Sequence, residues 1–346
     1  METLGVDIID AGFPVASPLD LEGARAVANA TNDVELSVLS RQIPKDMDAA
    51  YEAVKEHIDR SRLATWVMPY ELYSRHQDDP MIHRRIIDSS RKAVSRGCSL
   101  FPNVQYYMVY SGNRDREFLT ELAGEVAEVG ASCAAIADSQ STMNPEQITP
   151  LTSAIKSVLP DGVELSVHCH NLIGLALANS VAAVHAGADQ VEVTVGGMGD
   201  AGGNASLEQI LGYADYFEKK NPRFSNKCRL DSLYDLATEV SKQTGFQYSS
   251  NQPFVGPDTF AVETGIHHSL ARNIQDSTFD PEKIGRDLNF VVGRHSGVVG
   301  IREKLLEIGV DTSKVNVQLL YAKVMEVAEI DGMISNERLV QLAQEF

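Results

Sequence analysis

The 346-residue chain is short of cysteine, of positive charge and of long apolar runs. Its four cysteines, Cys98, Cys133, Cys169 and Cys228, stand far apart with no C-x-x-C pair. That spacing suggests neither a disulfide framework nor a thiolate zinc knuckle, and it fits a reducing, cytoplasmic setting. Thirty Lys and Arg face 48 Asp and Glu, a net charge of -18. Such a field repels phosphate backbones and anionic lipid, so no nucleic acid and no membrane surface is expected as partner, and an anionic ligand needs a local positive centre. No stretch approaches the ~18 to 20 uninterrupted apolar residues of a membrane span, and Met1-Glu-Thr-Leu-Gly5 lacks the basic and apolar regions of a signal peptide. With 43% apolar and 23% charged residues, the composition is that of a globular chain able to bury a large core.

Short apolar runs recur between helical patterns, beginning at Gly5, Val34, Leu63, Val104, Cys133, Glu164 and Gln190. Strands that alternate with helices at this pitch are βα units, which predicts either an open doubly wound sheet or a (β/α)8 TIM barrel. Seven units, with Asp10, Asp138, His168 and His170 at the C-terminal ends of their strands, favour the barrel, whose active sites sit at that end. A closed barrel needs eight strands, so the first βα unit is read as missing and about 30 to 35 residues are expected upstream of Met1. The incomplete barrel is expected over residues 1–245. Residues 246–346 are expected to form a small, mainly helical region, with helices around 262–272, 298–308 and 315–328.

The sharpest local signal is Ser166-Val-His168-Cys-His170-Asn171. Side chains alternate along a strand with period two, so His168 and His170 point the same way and two imidazoles can chelate one metal. H-x-H pairs also occur as interior histidines bonded only to their neighbours. The second signal runs from Thr194 to Ala205, with five glycines in eight residues between Gly196 and Gly203. It matches neither a Walker A loop nor a dinucleotide fingerprint, and a tight structural turn explains it nearly as well. Its place beside the His-x-His strand lets Asn204 offer a carbonyl oxygen to the same ion. Two histidines completed by oxygen suit Mn, Zn, Co or Fe(II), and a bound 2-oxo acid would lean the site toward Mn or Mg.

Five segments taken in order carry a resemblance: Leu4-Gly-Val-Asp-Ile-Ile-Asp-Ala-Gly-Phe-Pro14 with Ser17-Pro18; His168-Cys-His-Asn171 with Gly174-Leu-Ala176 and Ala178-Asn-Ser180; Gly199 to Ala205; Gly265-Ile-His267; and Gly293-Arg-His-Ser-Gly297. Together they resemble the 2-isopropylmalate synthase and homocitrate synthase family over almost the whole chain. The resemblance implies a TIM-barrel acyltransferase of amino-acid biosynthesis that condenses the methyl carbon of acetyl-CoA with a 2-oxo acid held on a divalent metal (Mn, Mg or Zn). It makes His168, His170 and Asn204 metal ligands and brings His267 to an active site, commonly the partner subunit's, in a homodimer. Asp10, Arg41, Thr65, Asp138 and Gly199 are expected to bind substrate. Imidazole titrates near neutral pH, which suits His267 as base or proton shuttle; a surface histidine beside His268 is the plainer reading. Arg294 is assigned to the CoA phosphates from its charge alone.

The family's D-x-T-L-R-D-G-E, which supplies a metal carboxylate and an arginine, is not in these 346 residues. One lost donor to developing negative charge is worth roughly 10²- to 10³-fold, so the chain as written is expected to be impaired. The usual S-x-E-D reads Tyr107-Met-Val-Tyr110, H-T-F reads Ala64-Thr-Trp66, H-N-D-L-G reads His170-Asn-Leu-Ile-Gly174, and P-D-T-x-G reads Ala137-Asp-Ser-Gln-Ser141. These changes make the pocket lining more apolar and aromatic. A degenerate, non-catalytic paralogue acting as a binding or structural partner is the alternative. An HMG-CoA-lyase-like enzyme is weaker, because the family's loop cysteine has no counterpart in residues 196–204.

Overall fold

The computed structural model describes residues 1–66, 79–263 and 279–346, which form two compact units, Met1–Arg229 and Leu230–Phe346. The first holds seven parallel strands, β1 (Ile8–Asp10), β2 (Glu35–Arg41), β3 (Ser61–Trp66), β4 (Asn103–Met108), β5 (Cys133–Asp138), β6 (Glu164–Cys169) and β7 (Gln190–Glu192), paired in sequence order. Helices α1 (Pro18–Ala30), α2 (Pro44–Val54), α3 (Pro80–Cys98), α4 (Arg116–Glu128), α5 (Pro145–Val158), α6 (Ala176–Ala186) and α7 (Leu207–Phe217) alternate with them. The sheet curls into a TIM-barrel-like half-barrel: β3 reaches β7 through Arg62 and Gln190, 3.0 Å apart. Among the described residues β1 pairs only with β2 and β7 only with β6.

Local sequence starts these helices in a regular way. Proline stands in the first turn of α1, α2, α3 and α5, where its missing N–H costs nothing. Ser17, Asp79, Asp115, Asn144 and Ser206 cap α1, α3, α4, α5 and α7, each accepting a backbone N–H of the first turn. Asn144 and Gln147 complete a reciprocal capping box.

Strand register then sorts every side chain onto one of two faces. Leu36, Val38, Leu63, Val104, Tyr106, Ile136, Leu165 and Val167 point outward and join one apolar cluster with helical residues such as Met47, Ile87, Leu119, Ile148 and Ala183. The inner face carries Glu35, Arg62, Asn103, Gln105, Ser166, Gln190 and Glu192. Arg62, 5% exposed, forks onto Glu35 (2.9 and 2.7 Å) and also donates to Gln105 and Gln190, both at 3.0 Å.

The second unit contains α8 (Leu233–Thr244), a two-stranded parallel sheet of β8 (Ala261–Val262) and β9 (Asn289–Phe290), then α9 (Val298–Glu307), α10 (Val317–Asp331) and α11 (Asn336–Ala343). Ile301, Leu305, Leu320, Val324, Leu339 and Leu342 form its core. The sequence boundary at 245/246 differs from the structural division at Arg229/Leu230. The difference lies in α8: its Tyr234 stacks on Arg286, 4.5 Å from the guanidinium carbon, and the adjoining turn Leu230–Ser232 packs on Pro281–Ile284. The helix expected around 262–272 begins instead as strand β8, and the rest of it lies outside the described residues.

Replacing Arg62 with Met removes the cation paired with Glu35 and the donor to Gln190 Oε1, while Asn103 Nδ2 stays on Glu35 and Gln190 Nε2 on Gln105 Oε1. Breaking a buried pair from one side costs about 3 to 5 kcal/mol. Urea unfolding followed at Trp66, the chain's one tryptophan, is expected to show a loss of that size.

Candidate functional site

At the C-terminal end of the sheet, β6 does not simply stop. His170 forms an antiparallel bridge with Asn204, Asn171 donates its N–H to the Gly203 carbonyl at 2.8 Å, and Ala205 donates to the Cys169 carbonyl at 3.1 Å. Residues paired across an antiparallel bridge turn their side chains to the same side. The glycine-rich return therefore brings the Asn204 amide beside His170, while strand alternation puts His168 on that side too.

Glycine is required for this close return. A Cβ on Gly203, at φ +93, would lie 2.1 Å from the Gly197 carbonyl oxygen, and one on Gly199 would lie 2.2 Å from Asn204 Nδ2. The loop is pinned from below by Glu208, fully buried on α7, whose two carboxylate oxygens each lie 2.9 Å from the Gly196 nitrogen. Ser206 Oγ adds a third contact at 2.5 Å. Burial pushes the Glu208 carboxyl up, and these donors work against that rise.

The two imidazoles meet edge to edge, with His168 Nε2 3.1 Å from His170 Nε2. Behind them, His168 Nδ1 faces Glu192 Oε2 at 2.9 Å, and His170 Nδ1 faces the Asp200 carbonyl oxygen at 3.2 Å. Asn204 donates through Nδ2 to the Met198 carbonyl at 3.0 Å, which fixes the amide orientation and leaves its buried Oδ1 with no hydrogen-bond partner. An orphaned buried acceptor costs about 1 to 3 kcal/mol. Two imidazole nitrogens about 3 Å apart and an unused amide oxygen on the residue bridged to His170 are donor types that suit a divalent cation.

Glu192, which the sequence reading did not single out, stands directly behind His168. It receives Gln105 Nε2 (2.6 Å) and Ser166 Oγ (3.1 Å) on one oxygen, and Tyr107 OH (2.9 Å) and His168 on the other. Burial works to raise its carboxyl, but the bond and charge of His168, with Tyr107 and Ser166, outweigh it and hold the group below its ordinary value. Burial likewise works to lower His168, and Glu192, Asp10 and Asp200 outweigh it, so the ring is held above its ordinary value. Burial and the Glu192 charge push the Tyr107 phenol well up. The available signal was the Gln-Val-Glu alternation on β7, but its meaning depends on the His168 to Glu192 register.

Residues 1–240 match the family described as HMGL-like. The chain belongs to the HMGL-like family. It is similar to the 2-isopropylmalate synthase of Heliobacterium modesticaldum, 33% identical over 347 residues that cover 99% of this chain and 67% of that protein. It is also similar to that of Pyrococcus furiosus, 32% identical over 335 residues, 94% of this chain and 66% of that protein. The chain thus spans about two thirds of the length of these curated relatives. A hydroxymethylglutaryl-CoA lyase from Pseudomonas aeruginosa shares the fold, with a TM-score of 0.55 at 21% identity over 71% of this chain and 83% of that one.

Within this HMGL-like fold the remaining expected site residues fall into distinct places. Asp10 ends β1 on the inner face and accepts the Gly12 N–H at 2.7 Å. Solvent reaches it from the mouth, yet the surrounding protein and the Glu192 charge push its carboxyl up. Arg41 ends β2 on the same face, bonds Asp46 at 2.5 Å and lies over the Phe13 ring at 5.7 Å. Gly199 stands against the Asn204 amide. Strand parity places two further expected residues elsewhere. Thr65 and Asp138 pair in register with Tyr106 and Cys169, on the helix-facing side away from His168, and both are fully buried. The Asp138 carboxylate holds the loop before α5, receiving the backbone N–H groups of Thr142 (2.8 Å) and Met143 (3.2 Å). Arg294 is exposed in the second unit, and His267 lies outside the described residues.

Glu208→Ala would remove the carboxylate that accepts from the Gly196 N–H and the Ser206 hydroxyl. A loss of about 2 to 4 kcal/mol is expected in chemical denaturation, with faster amide hydrogen exchange at Gly196.

Proposed function

We propose that this chain is an acyltransferase of the 2-isopropylmalate and homocitrate synthase type, joining the methyl carbon of acetyl-CoA to the keto carbon of a 2-oxo acid. The observation that carries this reading is the buried, unpartnered Asn204 Oδ1 beside the paired imidazoles, in a chain about one-third identical to named synthases. His168, His170 and Asn204 would hold the divalent ion, whether Mn, Mg or Zn. A cation bound there would polarise the keto oxygen toward attack.

The chain's own groups supply the rest. Glu192 orients His168 from behind. Asp10 ends β1 on the inner face at the open mouth, where its carboxylate can accept from a substrate hydroxyl or water. Arg41 is exposed at the same mouth and offers guanidinium N–H groups to a substrate carboxylate. His267 is proposed as the base that takes the methyl proton. The methyl C–H bond breaks, the C–C bond forms, the keto oxygen gains a proton, and water then cleaves the thioester to release CoA. Arg294 is proposed for the CoA phosphates, and a homodimer for the assembly. Among the described residues no helix is long and apolar enough to cross a membrane.

One sequence observation favours a second reading. These residues contain no D-x-T-L-R-D-G-E, so the chain by itself lacks that carboxylate and arginine and would bind without efficient turnover. The two readings separate in one assay. Purified protein with Mn or Mg, acetyl-CoA and a panel of 2-oxo acids is expected to release free thiol with at least one acid. Release no greater than in the metal-free blank with every acid, alongside retained Mn binding, establishes the non-catalytic reading.

His168→Ala is expected to weaken Mn(II) binding, measured by electron paramagnetic resonance, by more than the roughly 10- to 100-fold that a supporting group is worth. Unchanged affinity removes His168 from the ligand set.

A further inference from the structure

The hydrogen bonds inside the half-barrel run in one direction, and that direction is forced. Arginine can only donate. Arg62 Nη1 lies 3.0 Å from both Gln105 Oε1 and Gln190 Oε1, so both amides must turn their carbonyls to Arg62 and their NH2 groups onward. Gln105 then donates to Glu192, and Gln190 donates to Ser166 Oγ at 3.0 Å, which leaves the Ser166 proton for Glu192. At the far end, ionised Glu192 can only accept. Tyr107 donates to its second oxygen, and the remaining contact on that oxygen is His168 Nδ1. With an acceptor-only partner, Nδ1 must carry the proton. His170 is fixed in the same way from its other side, because Nδ1 meets a backbone carbonyl, also acceptor-only.

We infer that Glu192 is a positioning residue: aimed by Arg62 through Gln105, it locks His168 in the tautomer with the proton on Nδ1 and the lone pair on Nε2 turned toward His170 and Asn204. Two neutral rings so fixed would oppose lone pair to lone pair across 3.1 Å, an arrangement that only a shared positive charge relieves. The inference rests on the cation site proposed above for its purpose, while the tautomer itself is a property of the metal-free protein. A Gln at position 192 can present N–H to Nδ1 and stabilise the opposite tautomer. A carboxylate partner of this kind is worth about 10- to 100-fold in metal affinity.

The experiment has two arms. Nitrogen-15 NMR of histidine-labelled, metal-free protein, at a pH where the ring is neutral, is expected to show His168 protonated on Nδ1 in the wild type and in Tyr107→Phe, which spares the carboxylate. Glu192→Gln is expected to shift His168 toward Nε2 protonation and to weaken Mn(II) binding by about 10- to 100-fold. A residue that only stabilised the fold would lower the unfolding midpoint and leave the tautomer alone. Nε2 protonation of wild-type His168 overturns the inference even if the variant fails to fold, as does an unchanged tautomer in Glu192→Gln. A tautomer shift in a protein that takes up no Mn(II) supports the inference while ending the metal reading, so the two failures are distinct.

Discussion

A curled parallel sheet has two faces, and in this chain the inner one is filled with groups that cannot be left alone. Arg62 is nearly excluded from solvent, and a buried guanidinium without partners would be prohibitively costly. Glu35 answers its charge on one side and two glutamine carbonyls on the other. Gln105 in turn donates to Glu192 directly and Gln190 through Ser166, and the Glu192 charge is answered at the mouth by Tyr107 and His168. The polar interior is therefore one connected arrangement from the base of the sheet to the histidines. Such networks add conformational definition when every member is satisfied and become costly when one is removed. Here the outer face supplies the apolar burial and the inner face supplies the aim of the site.

Much of this was legible in the sequence because it depends on period and spacing. Apolar runs at a βα pitch give seven strands in the order the sheet pairs them, and the i, i+2 histidines share a face because strands alternate. The helices at Val298–Glu307 and Val317–Asp331 follow from their apolar periodicity. Glu192 stayed hidden for a physical reason: a lone acid in Gln-Val-Glu gains its meaning only from the parallel register that sets it opposite His168. Thr65 and Asp138 show the converse. Their position at strand ends suggested the mouth, whereas parity sends both toward the helices, where Asp138 finds its donors in its own following loop. The strands Ala261–Val262 and Asn289–Phe290 are two residues each, too short to leave a periodic signal.

The glycine-rich return connects these two levels. It works as a continuation of β6 by other means: the backbone of 203–205 bonds to that of 169–171, so Asn204 is placed by a ladder. Glu208 fastens the start of the loop, and the Met198 carbonyl accepts an amide hydrogen of Asn204. What remains is its buried Oδ1, with no hydrogen-bond partner among the described residues. An oxygen placed by backbone pairing suits a ligand that must be in place before anything binds.

Tyr107 shows how sequence comparison at a single position can mislead. Read alone, a tyrosine where related sequences carry S-x-E-D polarity looks like the loss of a polar lining. In the folded chain its hydroxyl crosses the interior and donates to Glu192, so the position, which the S-x-E-D pattern fills with a serine, remains polar. The tyrosine and the buried glutamate therefore have to be considered as a pair: with a donor at 107, a single interior carboxylate can stay charged behind the histidines, and the mouth keeps its negative support even though the lining above it has turned aromatic.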